Sequence, residues 1–354
     1  MLLNKNTYTN NSTSFANMVV YFDPNTAPFL NPAVDRRVAF ITGGNSGIGW
    51  FTILHLYLHG YTVYVAGRTE SKVRKAIEDI KIEAEKRVKE YTKEEQDARS
   101  LGSLDYVYLD LLDLSTVVAA AESFSKKEPE LHILINNAGI MGVPYEETKD
   151  GYEIQYQVNF ASHFLLTFKL LPLIKKVASK GSIQPRIIQL TSGGHRASYR
   201  YFQPSENMNK FPNILYTWYR YGAAKLASIQ FMNLLGKANP DILCVSVHPG
   251  IIFGTELFKY WKKMPIFGYL SSASMYAVAP LIGVQIEEGS LSTLKTALDP
   301  KINSLQDNGK YYVTGGSEGS TSRVAQNEKD AITTWNWNLD YMRKHNFNID
   351  APKL

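Results

Sequence analysis

Residues 37–60 read RVAFITGGNSGIGWFTILHLYLHG. The run Val38-Ala39-Phe40-Ile41-Thr42 has strand length and no polar alternation, the pattern of a parallel strand covered on both faces. It meets the loop Gly43-Gly44-Asn45-Ser46-Gly47-Ile48-Gly49, which passes without a break into a helix-length apolar stretch. Gly43 permits a tight turn, Gly47 lets the backbone approach a pyrophosphate, and Gly49 allows close packing of helix on strand. Asn45, Ser46 and Ile48 complete the loop, and the free amides of the helix N-terminus suit a phosphate.

The same alternation of short apolar run and amphipathic stretch recurs along the chain. It predicts strands at 37–42, 62–67, 104–109, 131–136, 186–191, 242–248 and 310–314. Right-handed crossovers between them would give an α/β fold, a doubly wound, parallel, seven-stranded sheet of Rossmann type with helices on both faces. The expected organisation is an N-terminal extension, 1–35, and one domain, 36–354, with insertions near 83–100, 199–218 and 253–286. The charged insertion EAEKRVKEYTKEEQDARS, 83–100, suits a solvated helix extension.

With 354 residues, 44% hydrophobic, the chain can bury a large core, which excludes disorder and a disulfide-stapled module. A net charge of +5 spread along the chain is too weak to argue for nucleic acid as a partner. The single cysteine, Cys244, lies in a predicted strand and reads as a buried structural thiol. His195 and His248 have no second ligand at metal-binding spacing, so no metal site is expected. A hydrolase built on Ser192 and His195 would lack the strained G-x-S-x-G elbow.

The second strand ends at Gly67-Arg68, with no carboxylate to meet a ribose hydroxyl. Arg68 offers a planar cation for a 2′-phosphate, which predicts NADP (NADPH) as coenzyme. Asp110 and Leu111, after strand three, are expected at the adenine. Asn137, Ala138 and Gly139, after strand four, are expected beside the coenzyme.

These motifs, together with Ser192, Tyr221-x-x-x-Lys225 and Pro249-Gly250, resemble the short-chain dehydrogenase/reductase family over about residues 37–316. The stretches DGYE (150–153) and VNFASHFLLT (158–167) resemble its retinol-dehydrogenase-like branch, and the chain is similar to fungal oxidoreductases of that branch associated with lipid droplets. The resemblance implies a catalytic set of Asn159, Ser192, Tyr221 and Lys225, with Tyr221, Lys225, Pro249 and Gly250 also touching the coenzyme. Tyr221 and Lys225 are four apart, so a helix would present both on one face, and a nearby ammonium favours the phenolate. Tyr221 would exchange a proton with the substrate oxygen, Ser192 would hold that oxygen, and Asn159 would position the relay behind Lys225. Where relatives place a hydroxyl residue after Pro249-Gly250, this chain has Gly254, which leaves the carboxamide to Thr255 or to backbone groups.

The segments YRYFQ, FPNILYTWYRY and LFKYWKKMPIFGYL predict an aromatic wall for a lipophilic small-molecule substrate such as a retinoid, steroid or long-chain aldehyde. The uncharged stretch 264–286, broken by Pro265 and Pro280 and preceded by Lys262 and Lys263, reads as an interfacial anchor rather than a full span. It places the protein on the cytosolic face of the endoplasmic reticulum membrane or on a lipid droplet, with a homodimer as a further expectation. A different class of function is a low-turnover scaffold or lipid-binding protein on that surface, against which a complete catalytic set speaks.

Overall fold

Strands that are apolar on both faces need cover on both, and the chain supplies it by alternating strand and helix. The computed structural model describes residues 21–252 and 284–354. Strands β1 (Val38–Thr42), β2 (Thr62–Gly67), β3 (Ser103–Tyr108), β4 (Ile133–Asn136), β5 (Arg186–Leu190), β6 (Leu243–Val247) and β7 (Tyr311–Val313) pair in parallel in the order β3-β2-β1-β4-β5-β6-β7. The strand order reverses between β1 and β4, which opens a crevice at their carboxyl ends.

The sheet has eight strands among the described residues, one more than the sequence pattern predicts. The extra strand, β8 (Ser317–Gly319), runs antiparallel to β7. Its three polar or small residues at an edge carry no hydrophobic signal.

Helices α1 (Gly47–Leu58), α2 (Glu70–Val88) and α7 (Ile286–Leu298) cover one face, where Ile53, Leu56, Ile80, Leu291 and Leu294 meet β-strand residues such as Ile41, Ile135 and Val245. Helices α4 (Leu114–Lys127), α5 (Ser162–Lys180) and α6 (Asn213–Ala238) cover the other, with Val117, Phe124, Phe164 and Phe231 against Phe40, Leu134 and Ile187. Helix α8 (Glu328–Lys344) lies outside α5 and α6, its Trp335 ring 5.1 Å from Phe168 and 5.6 Å from Phe231.

The charged insertion is two helices rather than one extension. Helix α2 stops at Val88 and α3 (Lys93–Ala98) restarts from a capping box between Thr92 and Glu95. It is not merely solvated surface: Arg87 pairs with Glu287 at 2.7 Å, and the Arg99 guanidinium lies 4.1 Å from the Phe29 ring. Residues 21–35 of the expected extension pack back on the domain, where Phe29 stacks on His59 at 4.1 Å. Cys244 is fully buried and its thiol is pushed up by burial.

Candidate active site

The crevice holds a cavity of about 820 Å³. At one end lies the loop between β1 and α1, where Gly43, Asn45, Ser46, Gly47, Ile48 and Gly49 all line the wall. Gly43 has φ +70°, and a Cβ there would stand 2.8 Å from Ala138. A Cβ on Gly49 would stand 2.5 Å from the Gly43 carbonyl oxygen and 2.6 Å from Asn137 Nδ2. The side chain of Asn137 donates to the carbonyls of Thr42 and Gly43 at 2.8 and 2.9 Å, which ties β4 to the loop. This cradle, open at the first turn of α1, fits a dinucleotide pyrophosphate.

Arg68 lines the same end, its side chain 62% exposed and its nearest carboxylate, Asp110, 3.9 Å away. Lys72, in the first turn of α2, stands on the wall beside it, a residue that sequence reasoning missed. The R-x-x-x-K spacing from Arg68 to Lys72 was the available signal. Asp110 and Leu111 are not among the lining residues. Leu111 turns its side chain into the core, while its carbonyl accepts from Ser162 Oγ at 2.6 Å and Gln157 Nε2 at 3.2 Å. A contact of Leu111 with adenine would therefore run through its backbone rather than its side chain.

Toward the other end, Tyr221 and Lys225 present one face of α6, both about 4% exposed. The Lys225 ammonium donates to the Leu190 carbonyl at 3.0 Å and stands 5.7 Å from the Tyr221 ring centroid. Burial draws Lys225 down to about 7. It pushes the Tyr221 phenol up to about 12, opposed by a hydrogen bond with Ser192. Without coenzyme, burial outweighs any lowering of the phenol by Lys225, whose ammonium donates to the Leu190 carbonyl. Tyr221 is therefore held as the neutral phenol, the form that donates a proton.

Ser192 caps a turn of 3₁₀ helix at 193–197, and its Oγ accepts from the Gly194 amide at 3.0 Å. A Cβ on Gly194 would stand 2.8 Å from the Tyr221 ring, so only glycine lets this turn close on the phenol. His195 donates from Nδ1 to the Ser192 carbonyl at 2.7 Å and accepts at Nε2 from the Ser322 amide at 3.1 Å. It is a strut, not a ligand. Among the described residues no group of three metal-ligating side chains converges.

Asn159 lies in a π turn, Gln157–Ala161, fully buried at the inner wall. Its side chain accepts from the Ile140 amide at 3.1 Å and donates to the carbonyls of Ile140 and Gln155 at 2.9 and 2.8 Å. A Cβ on Gly139 would stand 2.5 Å from Asn159 Oδ1 and 3.5 Å from Lys225 Nζ, so both groups meet across that glycine. Ala138, Pro249 and Gly250 also line the cavity, and Gly250 has φ +96°. Thr255 and most of the 253–286 insertion lie outside the described residues.

The remaining wall is mostly aliphatic, with Ile140, Met141, Val143, Ile251 and Ile252 beside Thr191 and His248. Of the aromatic residues in YRYFQ and FPNILYTWYRY, Tyr221 alone lines the cavity. Others pack on one another, Tyr199 and Tyr216 lying 5.4 and 5.7 Å from Tyr219, and Tyr201 bonds Thr334 at 2.7 Å. In the described residues the predicted aromatic wall is thus largely replaced by branched and thioether side chains. His248, also on the wall, is held neutral by burial at about 4.

A family model described as short chain dehydrogenase matches residues 37–202. An uncharacterized oxidoreductase of Schizosaccharomyces pombe is 35% identical over 301 residues, covering 83% of this chain and 81% of that protein. Retinol dehydrogenase 12 of Mus musculus is 30% identical, covering 92% of this chain and 94% of its own length. The fold is shared with a crystal structure of an uncharacterized protein from Mycobacterium paratuberculosis, at a TM-score of 0.64 and 24% identity over 92% of this chain and 98% of that one. The cradle at the first turn of α1, the Tyr221–Lys225 face of α6 and these full-length likenesses make the chain a member of the short-chain dehydrogenase family, oxidoreductases that use nicotinamide coenzymes, in its retinol-dehydrogenase-like branch.

Proposed function

We propose that this protein is an NADP-dependent oxidoreductase that moves a hydride between the nicotinamide and a lipophilic carbonyl or alcohol. One observation carries the reading: Tyr221, Lys225, Ser192 and Asn159 line one cavity whose far end holds the glycine loop with Arg68 and Lys72. Arg68 and Lys72 on that wall, with Asp110 3.9 Å from Arg68 but off the wall, favour a 2′-phosphate over a free ribose hydroxyl. The aliphatic wall supports a substrate of low polarity, held by shape and by few polar contacts.

When bound, the coenzyme supplies the hydride. The chain handles the proton. Tyr221, neutral because it is buried, donates its hydroxyl proton to the carbonyl oxygen as that oxygen gains charge. Ser192, beside the phenol, donates to the same oxygen and orients it. Lys225, whose pKa near 7 lets it give or take a proton at neutral pH, reprotonates the phenolate. Alcohol oxidation uses the same groups in reverse.

We also propose that the protein works at the surface of the endoplasmic reticulum or of a lipid droplet, drawing substrate from the lipid. The reading rests on the 264–286 stretch, which lies almost wholly outside the described residues, and on the exposed Phe211, just before α6, and Leu215, in its first turn. Among the described residues no helix is long and apolar enough to cross a membrane. Purified protein mixed with NADPH and a panel of aldehydes and ketones tests the proposed activity. Steady NADPH oxidation with apolar substrates is expected, and none across the panel would overturn it.

A further inference from the structure

Four polar residues stand in one row across neighbouring strands of the sheet. Asn136 is in register with Gln189, Gln189 with Ser246, and the pairing of Ile41 with Ile135 sets Thr42 beside Asn136. All four are at most 1% exposed, on the face covered by α5 and α6. Burying such groups is costly unless they are bonded; Asn136 Oδ1, Gln189 Oε1 and Ser246 Oγ have no partner among the described residues, whereas Thr42 Oγ1 and Gln189 Nε2 both do.

Thr42 Oγ1 accepts from the amides of Asn137 and Ala138, both at 3.0 Å. Its own proton is left for His163 Nε2 at 2.9 Å. His163 therefore carries its ring proton on Nδ1, which faces the main-chain carbonyl of Asn159 at 3.3 Å. Gln189 Nε2 reaches the same oxygen at 3.4 Å. Two elements meet there: the loop ends of β1 and β4 beside the coenzyme cradle, and the π turn that carries Asn159. Burial draws His163 down to about 3, which keeps the ring neutral and leaves it no acid or base role.

The Asn159 side chain is spent on Ile140 and Gln155, so its contribution near Lys225 depends on where the turn itself is held. We propose that His163 and Gln189 are positioning residues of the reaction, fixing the Asn159 carbonyl from inside the core and keeping the Asn159–Lys225 side of the site in register with the coenzyme loop. The role rests on the oxidoreductase reading above. It needs no contact of either residue with coenzyme or substrate.

Two measurements test it. The first needs no activity: ¹⁵N NMR of histidine-labelled protein without coenzyme should show His163 as the Nδ1-protonated tautomer, untitrated from about pH 5.5 to about 9. The Nε2-protonated form, or titration in that range, overturns the proposal. The second compares His163→Leu, which removes both bonds, with His163→Asn, whose amide can still donate to the carbonyl one turn back. Misplacing a reacting group by an ångström costs up to about a hundredfold. His163→Leu should lose about tenfold or more in kcat with KM and coenzyme Kd within about threefold, and His163→Asn should recover most of that loss. Unchanged kcat in the Leu variant, or equal loss in both, contradicts the role. Should His163→Leu fail to fold, Gln189→Met is measured in its place, with a selective fall in kcat expected and an unchanged kcat contradictory. An inactive native protein would sink the oxidoreductase reading and this role with it, whereas the wrong tautomer in an active protein would sink this role alone.

Discussion

Arg220, fully buried, holds its Nε 3.4 Å from Oε1 of Glu153, which is also buried. Glu153 caps the turn that leads to Asn159, its Oε2 accepting from the Tyr156 amide at 2.8 Å, and Arg220 immediately precedes Tyr221. The pair thus joins the two segments that carry the catalytic set. Arg220 also donates to the Met208 carbonyl at 3.2 Å and to Asn213 Oδ1.

Removing one partner of a buried pair leaves the other uncompensated. Arg220→Leu should cost about 3–5 kcal/mol in urea unfolding. Burial lifts Glu153 to about 7, and a guanidinium keeps its proton, so Glu153 is the group that titrates. A folded pKa above the unfolded one gives stability that is full below the unfolded value and lost as pH rises through the folded one. Stability from this group therefore falls between about pH 4.5 and about 7. Arg220→Leu should be more damaging at pH 8 than at pH 6, and Glu153→Gln should lack that slope. Equal loss of stability at both pH values would count against the pair.

Arg68 and Lys72 line the cavity end where a 2′-phosphate would sit. A hydrogen bond to a charged group contributes about 1.5–3 kcal/mol, or roughly tenfold to a hundredfold in affinity. NADPH should bind more tightly than NADH, Arg68→Asp should reverse the order, and Lys72→Glu should weaken NADPH alone. Coenzyme fluorescence titration reads all three, and equal affinity of the native protein for both coenzymes would refute the preference.

Lys225 is a function that costs stability. Its folded pKa, about 7, lies below the usual 10.5, so the stability present above the unfolded value is lost as pH falls through about 7. Lys225→Met keeps the stem and removes the buried charge. The variant should melt higher than the native protein without coenzyme, with the gap widest below about pH 7 and shrinking toward about pH 10, while turnover is lost. A lower Tm at every pH would show that the Leu190 contact outweighs the desolvation.

The membrane reading is tested by fractionation. Protein in the membrane or droplet fraction should move to the supernatant when Phe267, Tyr269 and Leu270 are replaced by serine. Native protein already in the high-speed supernatant, with that triple substitution changing nothing, would leave 264–286 as a soluble segment.

Much of the site was legible because it is local. The glycine loop between β1 and α1, Arg68 at the end of β2 and the four-residue spacing of Tyr221 and Lys225 are short patterns whose geometry follows from one strand, one turn or one helix face. What stayed hidden depends on distance in sequence. Thr42 and His163 are 121 positions apart, and nothing in either neighbourhood announces their bond. Edge strand β8 is too short and polar to register. Of the aromatic segments YRYFQ and FPNILYTWYRY only Tyr221 reaches the cavity, because hydrophobicity says that a ring is covered, not what covers it. Here Tyr219 collects Tyr199, Phe202 and Tyr216 around itself instead of facing the cavity. The inward side chain of Leu111 was hidden for a similar reason, since a strand end does not say which way the next turn points a side chain.

Tyr221 is the sole phenol on the cavity wall among the described residues, so the central claim rests on its hydroxyl. Tyr221→Phe removes that oxygen and spares the ring. NADPH binding and single-turnover hydride transfer, followed in the native protein and this variant with the best substrate from the panel, test the claim directly. Binding within about threefold of native, together with a fall in the hydride-transfer rate of about a hundredfold or more, is the expected result. Near-native transfer in Tyr221→Phe would contradict the account, because another group would then be supplying the proton.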